Sequence, residues 1–299
     1  MITQYSLFDL SEEHSQQDVD SEDKAKVVNV ASVPMRSPFR YAGGKTWLVP
    51  YIRLWLKARG GHDKALIEPF AGGGIVSLTA IFEKLVDQVT LVELDEDVAA
   101  VWAVITSGDA KWLAEQIVNF DLTAESAKAA IAQAAQSLRA RAFATIVKNR
   151  VNRGGILAEG ASFVKAGENG KGIRSRWYPA TLKRRIMEID GVRERIHFIH
   201  GNAFDVLRLH EARQDVLYFI DPPYVKAGKR LYRHATLDHL ALFDQAARLA
   251  GDFLMTYDDH AEIQDLAKNY GFDLRFVAMK NTHHDQKQEL LIGRDLSWL

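Results

Sequence analysis

Ile220-Asp221-Pro222-Pro223-Tyr224-Val225 opens on the last residue of an apolar run, Val216-Leu217-Tyr218-Phe219-Ile220. The run has the length and branching of a fully buried strand. It has to stop where the prolines begin, because neither proline donates a ladder hydrogen bond. A carboxylate, two rigid residues and an aromatic ring are therefore expected at the end of a buried strand, where open α/β sheets bind ligands. The tetrapeptide has a specific chemical use. An exocyclic amine on a nucleobase is a poor nucleophile, since its lone pair is delocalised into the ring. Acceptors on its two N–H groups favour the pyramidal, attack-ready form. Asp221 supplies one acceptor and the Pro222 carbonyl the other, held by the fixed φ angles of Pro222 and Pro223. Tyr224 offers a flat face for a base taken out of its helix. Alone, the same residues also read as a proline-terminated strand and a turn, so the rest of the chain decides.

With 299 residues the chain holds one large domain, or one domain plus an insert, and can bury a sizeable core. A composition of 47% hydrophobic and 26% charged residues is that of a soluble globular protein. No apolar run approaches the roughly 20 residues of a membrane span, and the polar, acidic N-terminus has no signal-peptide pattern. The absence of cysteine excludes disulfides, thiolate metal sites and cysteine nucleophiles, and fits a cytoplasmic protein. A net charge of −1 conceals an uneven distribution. Residues 1–26 carry seven acids and two bases, whereas residues 139–185 carry twelve Lys/Arg against Glu159 and Glu168. A local excess of +10 over 47 residues suits a polyanion.

Outward from the tetrapeptide, Ala65-Leu66-Ile67-Glu68 reads as a strand running into the loop Pro69-Phe70-Ala71-Gly72-Gly73-Gly74, with a helix predicted over 75–85. Val89–Glu93 makes a second strand, ending in a carboxylate 21 residues after Gly72. Strand, glycine loop, helix, strand and acid form the nucleotide-binding βαβ pattern, with Glu93 positioned for ribose hydroxyls. Ser77 replaces the third fingerprint glycine, and Glu68 would repel a pyrophosphate. An adenosine ligand with a cationic tail fits better, and S-adenosylmethionine is one. His197–His200 is a third strand; the loop after it, Gly201-Asn202-Ala203-Phe204, is expected to edge an adenine ring, with the Asn202 amide meeting its amine. Phe253–Tyr257, Leu274–Ala278 and Gln288–Ile292 are further strands, the last two forming a hairpin. His197, His200, His283 and His284 lack metal spacing, and no metal site is expected.

Upstream, Pro38-Phe39-Arg40-Tyr41-Ala42-Gly43-Gly44-Lys45-Thr46 leads into an amphipathic helix through Trp47, Ile52 and Trp55. A P-loop would need glycine at position 39, where Phe stands, so the stretch is a flexible turn at a helix start. Thr123 to Arg150 reads as Ala-rich and strongly helical with Thr123 as N-cap, and Arg150-Val151-Asn152-Arg153-Gly154-Gly155 as a polar, basic loop. A basic, mainly helical insert with Phe163, Trp177 and Tyr178 interleaved is expected to contact nucleic acid through Arg150, Asn152, Arg153, Lys171, Arg174 and Arg176. A second basic cluster, Lys226, Lys229, Arg230, Tyr232 and Arg233, follows the tetrapeptide. Residues 1–33 read as a disordered acidic tail. Within it, Gln4-Tyr5-Ser6-Leu7-Phe8 resembles the short peptides by which bacterial proteins dock on the DNA sliding clamp; local anchoring of the tail is the alternative.

Tyr41-Ala42-Gly43-Gly44-Lys45, Glu68–Gly74 and Asp221-Pro222-Pro223-Tyr224 occur in this order with a basic insert between the last two. This resembles the Dam-like (D12 class) DNA adenine N6-methyltransferases over roughly residues 36–299. The resemblance implies an α/β fold, a Rossmann-like S-adenosylmethionine-dependent methyltransferase sheet of seven strands with an antiparallel C-terminal hairpin and an inserted, mainly helical target-recognition domain. It divides the chain into the tail (1–33), a first part of the methyltransferase domain (34–120), the basic insert (121–189) and a second part (190–299). It implies cofactor contacts from Tyr41, Lys45, Phe70, Gly72, Gly74, Glu93, Asn202, Ala203 and Asp221, and a catalytic role for Asp221, Pro222, Pro223 and Tyr224. The implied activity is site-specific methylation of a flipped adenine in double-stranded DNA, without metal or membrane. The implied setting is the bacterial or phage cytoplasm, at the nucleoid, with restriction–modification as context. An RNA or N4-cytosine methyltransferase would share the frame. A nicotinamide-dependent oxidoreductase would lack the Pro-Pro-Tyr stretch, and a DNA-binding protein without catalysis would not need intact motifs.

Overall fold

The computed structural model describes residues 33–40, 44–158, 160–167, 170–224, 237–280 and 286–299. The clamp-like Gln4–Phe8 stretch, Tyr41, the cluster Lys226, Lys229, Arg230, Tyr232 and Arg233, and His283 and His284 lie outside the described residues.

Seven strands form one sheet: β1 (Ala65–Glu68), β2 (Gln88–Glu93), β3 (Ile196–His200), β4 (Val216–Ile220), β5 (Phe253–Asp258), β6 (Asp273–Lys280) and β7 (Gln286–Gly293). Their order is β3-β2-β1-β4-β5-β7-β6. The first five are parallel, and β7 runs antiparallel to both β5 and β6. This is a Rossmann-like α/β sheet with an antiparallel C-terminal hairpin, seven strands in all, as the sequence resemblance implied. The strand order reverses at β1, which has β2 on one side and β4 on the other. The carboxyl ends of β1 and β4 therefore border the crevice where such sheets bind ligands.

All five residues of β4 are buried, and their alternation explains how. Leu217 and Phe219 join one apolar layer, while Val216, Tyr218 and Ile220 join the other, as the two-residue period of a strand requires. Ten helices are described: α1 (Val49–Ala58), α2 (Ile75–Phe82), α3 (Glu96–Thr106), α4 (Ala110–Asn119), α5 (Ala124–Ala132), α6 (Leu138–Val151), α7 (Pro179–Asp190), α8 (Ala203–His210), α9 (His239–Arg248) and α10 (Ala261–Asn269). Helices α1 to α4 build the first layer and α8 to α10 the second. No helix among the described residues is long and apolar enough to cross a membrane.

The insert differs from its sequence reading in two ways. The stretch expected to be strongly helical is two helices, broken after Ala132 where a 3-10 turn (Ala134–Gln136) intervenes. Each piece has its own cap: Thr123 and Ser126 form a capping box on α5, and the Ser137 hydroxyl accepts the Ala140 N–H on α6. The predicted basic loop also begins too early, since Arg150 and Val151 are still helical and Arg153–Gly155 is a 3-10 turn. Helix α6 packs on α3 and α7 on α4. Ala142, Ile146, Leu182, Ile186 and Ile189 consequently belong to the first apolar layer. A small second core forms around Leu122, Ala127, Val147 and Val151, with Phe120 edge-on to Phe143 and Trp177.

Candidate active site

The crevice is floored by the turn between β1 and α2. Gly72 and Gly74 hold φ of 46° and 62°, the left-handed region that glycine enters without strain. A Cβ on Gly74 would lie 2.7 Å from the buried ring of Trp102, so close packing excludes any side chain there too. Trp102 Nε1 donates to the Gly72 carbonyl at 2.9 Å, and the Gly72 N–H donates to Glu93 at 2.9 Å. The other Glu93 oxygen accepts the Asp95 N–H at 2.8 Å. The acid that ends β2 is thereby fixed against the loop, facing the cavity. Burial pushes its carboxyl up to about 7 against those N–H donors. Glu68 ends β1 and is 3% exposed; its carboxylate accepts the N–H of Ser77, the residue in place of the third glycine. Burial raises the Glu68 carboxyl to about 8, with Asp221 adding to the effect.

Asn202 caps α8, and its side-chain oxygen accepts the Phe204 N–H at 2.9 Å. The oxygen is thus committed to the helix, and the NH2 is the edge left for a ligand. That edge suits a ring nitrogen rather than the adenine amine expected from the sequence. Ala203 is buried in the first turn of α8.

Asp221 stands just past β4, on the rim of the same cavity. One carboxylate oxygen accepts the Thr256 hydroxyl at 2.7 Å, and the other lies 3.0 Å from Lys45 Nζ. Lys45 is only 3% exposed, in the 3-10 turn that precedes α1. Burial disfavours its charge, but Asp221 and then Glu289 more than compensate and hold its pKa above the ordinary value. Glu289 comes from β7, is 7% exposed, and lies 3.9 Å from the same ammonium. It also accepts the Tyr224 hydroxyl at 2.9 Å. Tyr224 differs from the sequence expectation: its ring stacks on Tyr257 at 6.1 Å, has Lys45 Nζ 4.9 Å from its centroid, and does not line the cavity. Pro222 is buried, whereas Pro223 lines the cavity.

The cavity encloses about 330 Å³, and Lys45, Phe70, Gly72, Gly74, Glu93, Asn202, Ala203 and Asp221 all border it. Glu68, Asp95 and Asp238 add further acid, while Phe39, Ile75, Val98, Leu157 and Phe204 supply apolar wall. S-adenosylmethionine fits this lining: acids suit its sulfonium and ammonium, and a Cβ-free loop admits close backbone approach. Among the described residues no three His, Asp or Glu side chains gather into a metal-binding group.

The segment expected as an insert contributes to the cavity through Gly155, Ile156, Leu157 and Ala158. Two residues expected to contact DNA are instead interior. Arg150 is 4% exposed and donates to the Pro38 carbonyl; burial, with Arg185 and Arg40 nearby, pushes its pKa down. Asn152 is 1% exposed and donates to the Ile156 carbonyl at 2.7 Å. Both hold the turn rather than reach outward, because α6 extends through them. Arg153 and Lys171 are exposed. Arg174 is spent on Asp121 and the Leu122 carbonyl, and Arg176 is half-buried.

Sequence reasoning missed Glu289, Thr256 and Asn149. Glu289 and Thr256 sit in runs that read as plain strand; the pairing of β4 with β5 sets Thr256 beside Asp221, and the pairing of β5 with β7 brings in Glu289. Asn149 is 1% exposed; it donates to the carbonyls of Arg40 and Gly155 and accepts the Arg40 N–H. A buried asparagine in an apolar helix face was its one available signal.

No curated protein matches the chain. Solved structures with a similar fold include an RNA methyltransferase candidate from Pyrococcus horikoshii, at 8% identity and TM-score 0.39 over 83% of this chain and 81% of that one. The rRNA methyltransferase aviRa from Streptomyces viridochromogenes aligns at 11% and 0.36, over 83% and 84% of the two chains. Precorrin-6y C5,15-methyltransferase from Geobacter metallireducens aligns at 11% and 0.34, over 81% and 84%. The family model described as D12 class N6 adenine-specific DNA methyltransferase matches residues 41–137, which span the Lys45 turn, the glycine loop and Glu93. Over that stretch, about a third of its length, the chain is similar to the D12 class.

Proposed function

We propose that the chain methylates N6 of an adenine swung out of double-stranded DNA at a defined site, using S-adenosylmethionine. The observation that carries this reading is that the Asp221 carboxylate stands on the rim of the very cavity whose floor is the glycine loop and Glu93. A donor pocket and an acceptor for an amine meet there. When bound, S-adenosylmethionine supplies an electrophilic methyl on a sulfonium that leaves readily. Glu93 and the Gly72–Gly74 backbone hold the nucleoside part, with Phe70, Asn202 and Ala203 around it. Thr256 fixes the rotamer of Asp221, so the carboxylate is aimed before the base arrives. Asp221 and the Pro222 carbonyl then take the two N–H groups of the amine, and the protein's contribution is mainly alignment. Arg153 and Lys171, with the basic residues after Tyr224, are the proposed phosphate contacts. Such an enzyme works where DNA is, in a bacterial or phage-infected cytoplasm.

The test is transfer of tritiated methyl to duplex DNA, with the products identified as nucleosides. N6-methyladenine is expected, and Asp221→Ala should lower the rate by about 10³-fold or more while duplex binding persists. Methylcytosine, methylated RNA as the preferred product, or near-normal transfer by Asp221→Ala would overturn the reading.

A further inference from the structure

Lys45 occupies both places that the tetrapeptide reading assigns to an adenine, the Asp221 carboxylate and the Tyr224 face turned from Tyr257. Its ammonium is 3.0 Å from Asp221 and 4.9 Å from the centroid of the Tyr224 ring. A base with its amine on Asp221 and its face on Tyr224 has to take that position, so the ammonium must go elsewhere. It is too deeply buried, at 3% exposure, to swing into water. Glu289 lies 3.9 Å away on the neighbouring strand and is buried as well. An approach of about 1 Å would turn this into a direct charge-assisted hydrogen bond. The same carboxylate already holds the Tyr224 hydroxyl at 2.9 Å.

We propose that Glu289 is a positioning residue of the transfer site: it receives the Lys45 ammonium when an adenine amine takes Asp221, while keeping the Tyr224 ring in place to stack the base. This rests on the adenine reading above. The buried ammonium holds the position that the substrate amine takes, and Glu289 is where it is held during the reaction. Charge supports this arrangement. An ammonium kept on Asp221 uses up the carboxylate charge that would answer the positive charge developing on the attacked amine, whereas on Glu289 it leaves that charge to the amine. The groups facing Glu289 are Lys45, Asp221, Tyr224 and Asp258.

A double-mutant cycle tests the proposal. Glu289→Gln keeps an acceptor for Tyr224 but offers Lys45 no charge. It should lower kcat by about 10-fold, some 1.4 kcal/mol, with little change in duplex affinity. In a Lys45→Met background the same substitution should have less than about twofold further effect, because its partner is gone. A merely structural role predicts multiplicative losses in the double variant, and that result, or an unaffected Glu289→Gln, overturns the proposal. A crystal structure of the full chain with S-adenosylhomocysteine and an adenine-containing duplex gives a readout free of variants. Lys45 Nζ is expected nearer Glu289 than Asp221, and Lys45 still on Asp221 beside a seated base overturns the inference alone. Wild-type protein that methylates no adenine, or seats the base away from Asp221, overturns the adenine reading and with it this inference.

Discussion

Glu68 combines 3% exposure with a carboxyl raised to about 8, so near neutrality it is largely a neutral acid. A cationic ligand beside it favours the ionised form and expels the proton. Calorimetry at pH 7 in two buffers of different ionisation enthalpy should therefore detect proton release on binding S-adenosylmethionine. The release should be smaller for S-adenosylhomocysteine, which lacks the sulfonium, and Glu68→Gln should abolish the difference. The same group makes a statement about stability. Its folded value lies above the ordinary 4.5, so between pH 4.5 and 8 the folded chain binds more protons than the unfolded one. Stability should fall as pH rises through that window, by at most about 1.4 kcal/mol per unit, and Glu68→Gln should flatten the profile in denaturant titrations. Asp221 and Lys45 were legible in the sequence because each sits beside proline or glycine, whose backbone demands mark a turn at a strand or helix end, and Glu93 because it ends an apolar strand 21 residues after Gly72. Glu289 was not, since its partners lie 65 positions away at Tyr224 and further still at Lys45.

At the scale of elements, the wall of the cavity depends on how α6 ends. Asn149 ties the Arg40 backbone to the Gly155 carbonyl, and Gly155, at φ 75°, comes so close to Arg40 that a Cβ would lie 2.6 Å from its carbonyl oxygen. Segment 35–40, the last turn of α6 and the 3-10 turn after it are thus one unit, and they place Phe39 and Leu157 in the cavity. Asn149→Ala leaves buried backbone groups without partners. It should cost about 2–3 kcal/mol in stability and weaken S-adenosylhomocysteine binding, measured calorimetrically, although residue 149 does not itself border the cavity. Elements with apolar periodicity were read to within a few residues, β4 and the C-terminal hairpin among them. The α5–α6 break was not, because alanine favours helix on both sides of it, and the decision falls to Ser137 and its cap.

Over the whole molecule, the count of +10 in residues 139–185 gives a misleading picture of the surface. The acids that answer it lie earlier in the chain: Asp109 for Arg139, Glu96 for Arg141, Asp97 for Lys148 and Asp121 for Arg174. A window along the sequence sees the bases and misses partners contributed by α3 and the turns flanking α4. DNA binding should reflect this. Arg153→Ala and Lys171→Ala should each reduce the slope of log affinity against log salt by about 1, while Arg150→Ala should leave the slope alone and cost about 2–4 kcal/mol of stability. A second long-range tie joins α1 to the far side of the sheet: Asp252 accepts Trp55 Nε1 and Arg59, and Arg59 reaches on to Asp295. Asp252→Ala should lower stability by about 2–3 kcal/mol in chemical denaturation with cofactor affinity unchanged, since none of these groups touches the cavity. The sheet order carries one more consequence. Although β7 slots between β5 and β6 in the sheet, it is the last of the seven strands in chain order, so a ribosome finishes every other strand before the one that brings Glu289. A nascent chain stalled short of residue 286 has β6 without its neighbour and a lysine with only one of its two acids, so the site is completed only after the other six strands have been made.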